Sequence, residues 1–270
     1  MTYDRIKSVL VLLALLVALG IFLRYAYQLL WVNLRRGQPS ARFGQWGERI
    51  KGLFVFVGAQ FRLFRFVVPG TAHFFIFWGF IFLSLTILQA IVEGLMAFRN
   101  ATYVIPIIGT FGPLAFFQDL FALCVMIGVS FGLYLRIIVN PERYKGSHKK
   151  QGIKVLLFIF TIMLTLLITN AIRINLNEDP LSTWRPISTV LGGLFTGLNH
   201  SVQTLIEEIA YWIHLGVVLM FLTELPQGKH FHIVTSIPAV LLRNLEPRGT
   251  LLKPAEVDGS VGAGKVEDFR

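Results

Sequence analysis

Three histidines, His73, His214 and His232, lie in or beside strongly apolar stretches of this 270-residue chain. An ionisable side chain in such a stretch is costly, so each is a functional-site candidate by default. His214 and His232 are eighteen residues apart. At 100° per residue that is five whole turns, so on an unbroken helix both imidazoles face one way, ~27 Å apart. Imidazole suits iron, and imidazoles on neighbouring membrane helices can hold a haem between them. The pattern points to a b-type cytochrome. An isolated buried histidine is more often a hydrogen-bonded structural residue. Three histidines at compatible depths on two adjacent helices favour ligation.

The elements that must position these residues follow from composition. Hydrophobic residues make up 54% of the chain and charged residues 15%, and mean hydropathy is +0.65. These values exclude an ordinary soluble domain. Five segments, roughly 8–32, 67–97, 113–139, 153–174 and 205–226, are long enough to cross a bilayer. The expected fold is all-α, an integral membrane five-helix bundle over residues 1–226. Residues 227–270 then form a cytoplasmic interfacial segment and tail. Arg5 and Lys7 before an apolar run resemble a signal peptide, but no small-residue cleavage site follows, so the first helix is expected to be retained. Pro69-Gly70 and Gly112-Pro113 open the second and third helices, and Asn140-Pro141 closes the third. Pro226 and Gly228 interrupt the fifth, which weakens the angular argument for His232.

The net charge of +10 is unevenly distributed. Arg35, Arg36, Arg42, Arg49, Lys51, Arg62 and Arg65 follow the first helix. Arg136, Arg143, Lys145, Lys149, Lys150 and Lys154 follow the third. Lys229, Arg243, Arg248, Lys253, Lys265 and Arg270 follow the fifth. The other side carries Arg5, Lys7, Arg99, Arg173 and Arg185. This positive-inside bias puts the N-terminus outside and the C-terminus in the cytoplasm, as expected for an inner (cytoplasmic) membrane protein. It explains the basicity without a nucleic-acid ligand. The one cysteine, Cys124, reads as a small buried hydrophobe and leaves no route to a cysteine-ligated iron–sulfur cluster.

By depth, His73 lies on the cytoplasmic side of the midplane, His214 near the midplane, and His232 at the cytoplasmic edge. His73 is expected to share a haem with His232, or with His214 if the helices tilt. His230 falls about 160° away on a continued helix and reads as an interfacial or propionate-contacting group. Arg62, Arg65, Lys229 and Arg243 lie near that level. They are either propionate partners or ordinary positive-inside charge. His148 reads as solvated, and His200, before helix five, has two open readings. At the outer helix ends stand Gln89, Glu93, Gln118, Asp119, Glu207 and Glu208. Carboxylates near helix N-termini complement the macrodipole, which suits Asp119, Glu207 and Glu208. The sharper reading is a proton-exchanging quinone pocket, with Glu93 the least explained by the dipole.

The segment YWIHLGVVLMFLTELPQGKHFH resembles the last helix of the nitrate reductase gamma subunit, a cytochrome b. That family also has two histidines eighteen apart, with a proline six residues before the second. GQPSARFG, PGTAHFFIFWGF, NPERYKGS, KHFH followed by GTLLKP, and GAGKVEDF are, in this order, similar to the membrane domain of heterodisulfide reductase-related iron–sulfur oxidoreductases. The resemblance covers nearly the whole chain. It implies one or two haems b passing electrons between a membrane quinone and a cytoplasmic iron–sulfur subunit or electron-transfer flavoprotein. It also implies that His73 pairs with His232. The sequence departs from the gamma subunit at Leu83, where a second helix-two histidine is usual, which leaves His214 without its expected partner. The cysteine-rich domain that follows in the fused proteins is expected on a separate chain or beyond this one. Two other classes stay open: a cofactor-free membrane anchor for soluble subunits, and a transporter relaying protons through the intramembrane acids and histidines.

Overall fold

The computed structural model describes residues 3–37, 42–96, 105–142 and 149–246. Within them all regular structure is helical. Helix α1 (Tyr3–Ala26) continues through a π-helical turn, Tyr27–Trp31, into α2 (Val32–Arg36). Short α3 (Trp46–Gly52) follows, then α4 (Val67–Met96), α5 (Gly112–Tyr134) and α6 (Lys149–Asn175). Short α7 (Pro186–Gly192) precedes α8 (His200–Glu224), and α9 (His232–Leu241) ends the described chain.

Local chemistry sets these boundaries. Pro113 sits in the first turn of α5, where a missing N–H costs nothing. Asn140, at φ 43°, stops the helix after a π-helical turn, Leu135–Val139, and asparagine tolerates that left-handed conformation better than most residues. The Asn199 side chain caps α8 by accepting from the Val202 N–H at 2.9 Å.

Five helices are long and apolar enough to cross a membrane: Tyr3–Arg36, Val67–Met96, Gly112–Val139, Lys149–Asn175 and His200–Gln227. This is the signature of a multi-pass membrane protein. Packing runs α1 to α4, α4 to α5, α5 to α6, α6 to α8 and α8 back to α1, a closed circuit. Its core joins Leu83, Ala122, Val125, Val129, Ile162, Met163, Leu167 and Val218 from four of those helices. Gly79 makes the α4–α5 contact possible, since a Cβ there would stand 2.2 Å from Val125 Cγ2. Around the circuit, residues such as Leu13, Leu16, Val17, Ile127 and Met220 remain exposed, as lipid-facing side chains do.

The two ends of the bundle differ. At one, buried Arg49 ties α3 to the end of α9, its Nη1 donating to Leu241 O at 2.8 Å and Arg243 O at 2.9 Å. Lys154 meets Glu224 there at 2.5 Å. At the other end Lys7 of α1 meets Glu208 of α8 at 2.9 Å, and Tyr3 also donates to Glu208.

One expectation about the helix ends is corrected. The last long helix begins at His200, five residues before the apolar segment, so Glu207 and Glu208 lie two turns inside it. The macrodipole acts within the first turn, so it does not account for them. As Pro226 and Gly228 led one to expect, the fifth helix does not continue to His232. Pro226 lies in a 3₁₀ turn, Leu225–Gln227, and a second turn, Lys229–Phe231, precedes α9. The five-turn alignment of His214 with His232 is therefore lost.

Candidate functional site

His73 lies in the second turn of α4, and His232 opens α9. Their ring centroids are 6.3 Å apart with planes inclined at 35°. His230 lies 6.3 Å from His232, its imidazole pushed below the ordinary value by burial and then by His232 and Arg136. The helix break thus delivers His232 to His73 by redirecting the chain rather than by helical phase. Two imidazoles this close, on different helices, would be the residues to hold one haem iron.

The Nδ1 of His73 meets Gln60 Oε1 at 3.0 Å. The amide oxygen only accepts, so Nδ1 carries the proton and Nε2 keeps the lone pair. His214 is arranged likewise. Its Nδ1 meets the Ile162 carbonyl at 3.2 Å and Thr165 Oγ1 at 3.0 Å. Thr165 donates its own proton to Thr161 O at 2.8 Å. Nδ1 anchored to an acceptor, with Nε2 turned into a ligand nitrogen, is the outer-shell arrangement of metal-binding histidines. Among the described residues no cluster of three or more His, Cys, Asp or Glu is set to hold a metal ion. A bis-imidazole haem asks the protein for two ligands only, and the His73–His232 pair fits it.

His214 does not join that pair. It is 7% exposed, lies on α8 against α6, and borders a cavity of about 140 Å³. The cavity is also lined by Gln89, Glu93, Gln118, Asn170, Arg173 and Tyr211. Arg173 bridges two carboxylates, Glu207 at 2.9 Å through Nε and Glu93 at 3.2 Å through Nη1. Glu93 also accepts from Gln89 Nε2 at 2.9 Å. Leu83, where the gamma-subunit pattern has histidine, is 3% exposed and packs in the aliphatic core.

The other acids have different work. Asp119 caps α7, accepting from Ile187 N at 2.6 Å and Ser188 N at 3.2 Å, and from the Ser188 hydroxyl. It complements the dipole of α7 rather than of its own helix. Glu208 is held by Lys7 and Tyr3. At the histidine end, the guanidinium groups of Arg62 and Arg243 lie 4.3 and 5.1 Å from the Phe56 ring centre. Arg65 is exposed in the 3₁₀ turn Leu63–Arg65. The Lys229 side chain and His148 fall outside the described residues. His200 begins α8, its Nδ1 3.4 Å from Thr204 Oγ1. Reasoning from sequence missed Gln60, which lies thirteen residues before His73 in an irregular turn and carries no motif.

An all-helical chain with five potential spans defines a multi-pass membrane class, and comparison with known proteins adds to that. No family model and no solved structure matches the chain. It is 32% identical over 240 residues to the probable iron-sulfur-binding oxidoreductase FadF of Bacillus subtilis (strain 168), covering 88% of this chain and 33% of that protein. It is 26% identical over 271 residues to the EtfAB:quinone oxidoreductase of Syntrophomonas wolfei, covering 96% of this chain and 37% of that protein. The chain therefore spans about a third of the length of the curated relatives it matches. It is similar to a portion of each of these two oxidoreductases.

Proposed function

We propose that this chain is the haem b module of a quinone-linked oxidoreductase, carrying electrons between the membrane quinone pool and an iron–sulfur or electron-transfer flavoprotein partner. The observation that carries the reading is the 6.3 Å approach of the His73 and His232 rings. A bis-imidazole haem supplies one-electron transfer with no open position for oxygen. His73 and His232 bind it, and Gln60 fixes the tautomer of His73. Arg62, Arg65 and His230 stand at the same end, where they would meet anionic propionates. We assign one haem per chain, because Leu83 offers His214 no opposing ligand.

The cavity at the other end receives the quinone headgroup. His214, Tyr211 and Arg173 are its polar neighbours, and Glu93 is placed to hold the proton that accompanies the electron. Glu207 shares Arg173 with Glu93. Asp119 and Glu208 serve as structural partners of α7 and α1. The histidine end faces the cytoplasm of an inner-membrane location, following the positive-inside bias. The partner docks there against residues 33–66, 140–152 and the tail beyond Lys229, part of which lies outside the described residues.

Purified in mild detergent, the protein should show a Soret band, and pyridine haemochrome analysis should give one haem b per chain. A short-chain quinol should reduce that haem, and Glu93→Gln should slow the reduction at unchanged haem content. A haem that no quinol and no iron–sulfur donor reduces would overturn the reading.

A further inference from the structure

Gln60 occupies an unusual position. It is 3% exposed, yet its backbone has φ 49°, the left-handed region that L residues other than glycine rarely adopt. Strain of this kind persists where surrounding structure over-determines it, often beside a ligand. Here the surrounding structure is dense. A π-helical turn, Leu53–Gly58, leads into the bend, and Trp78 Nε1 of α4 donates to Gly58 O at 3.1 Å. The Leu63 N–H closes back on Gln60 O at 2.8 Å. Gly70 lets the bend lie against α4, since a Cβ there would stand 2.4 Å from the Leu63 carbonyl oxygen. The outcome of these contacts is one amide oxygen placed 3.0 Å from His73 Nδ1.

We propose that Gln60 is a positioning residue that sets the redox potential of the haem through His73, which rests on the reading of His73 as a ligand. An acceptor on Nδ1–H raises the basicity of Nε2. A more basic axial imidazole favours ferric over ferrous iron, so Gln60 lowers the midpoint potential. The amide does this moderately, whereas a carboxylate in the same place does it strongly. A neutral side chain without an acceptor does not do it at all.

The test is a potentiometric titration of the full-length protein and three variants, each measured for haem content at neutral pH. Gln60→Glu should shift the midpoint potential downward. Gln60→Leu should shift it upward. Gln60→Asn suits the left-handed backbone but is one methylene too short to reach the ring. It should also shift the potential upward, and it guards against misfolding in the leucine variant. Opposite shifts for glutamate and asparagine are the signature, because simple loosening of the bend would move both in the same direction. Shifts of one sign, or no shift at full haem content, would overturn the proposal. Wild-type protein without haem would instead remove the ligand reading, and this inference with it.

Discussion

At the scale of residues, the polar groups of the bundle divide into those spent on structure and those left facing a cavity. Asp119 shows the first kind. Its oxygens are used by α7, whose residues lie 68 and 69 positions away in sequence. Nothing local to Asp119 could have revealed that contact. Glu93 and Arg173 show the second, because they line the cavity while forming an ion pair with each other. Removing one member of such a group leaves uncompensated charge. Arg173→Met should therefore lower stability by on the order of 3 kcal/mol, read as a fall in the thermal midpoint in detergent. Replacing Arg173, Glu93 and Glu207 together with apolar residues should recover most of that loss. If the single variant is as stable as wild type, the bridge contributes only packing. The nearness of His73 to His232 was legible from depth along the helices. The tautomer-fixing role of Gln60 was not, because side-chain identity in an irregular bend has no periodicity to read.

Elements were legible in proportion to their length and apolarity. All five long helices are evident as apolar runs, since a bilayer demands about twenty residues of them. Their ends are less so. The polar first turn of α8, His200–Gln203, extends past the apolar signal, and α3 and α7 are too short to announce themselves. The break at Pro226 was visible, but not its consequence, that α9 turns back to bring His232 to His73. Close helix approach depends on small residues, as at Gly79. Gly79→Leu should force α4 and α5 apart and cost about 1–3 kcal/mol by overpacking, measurable as faster thermal inactivation. A test of the bend itself is Gly70→Ala, whose Cβ would clash with the Leu63 backbone carbonyl. It should reduce haem retention more than it reduces overall helicity by circular dichroism. Equal losses of both would show that the bend serves the whole fold rather than the histidine pair.

For the whole molecule, the closed circuit of helices has two chemically different ends. The histidine pair and the basic segments share one end, and the cavity with its Arg173 bridge lies toward the other. An electron carrier between quinone and a soluble protein needs this polarity. The basic end should speed encounter with an acidic iron–sulfur partner, and the association rate should fall as salt rises from low to physiological ionic strength. Stopped-flow reduction of the haem by that partner would report it, and a salt-independent rate would argue for apolar docking. The central claim, that His73 and His232 hold one haem between them, is tested most directly by pyridine haemochrome and reduced-minus-oxidised spectra of wild type beside His73→Ala, His232→Ala and His214→Ala. One haem in the wild type, its loss in the first two variants and its retention in the third is the predicted result. A colourless wild type, or full low-spin haem surviving in His73→Ala, would contradict it.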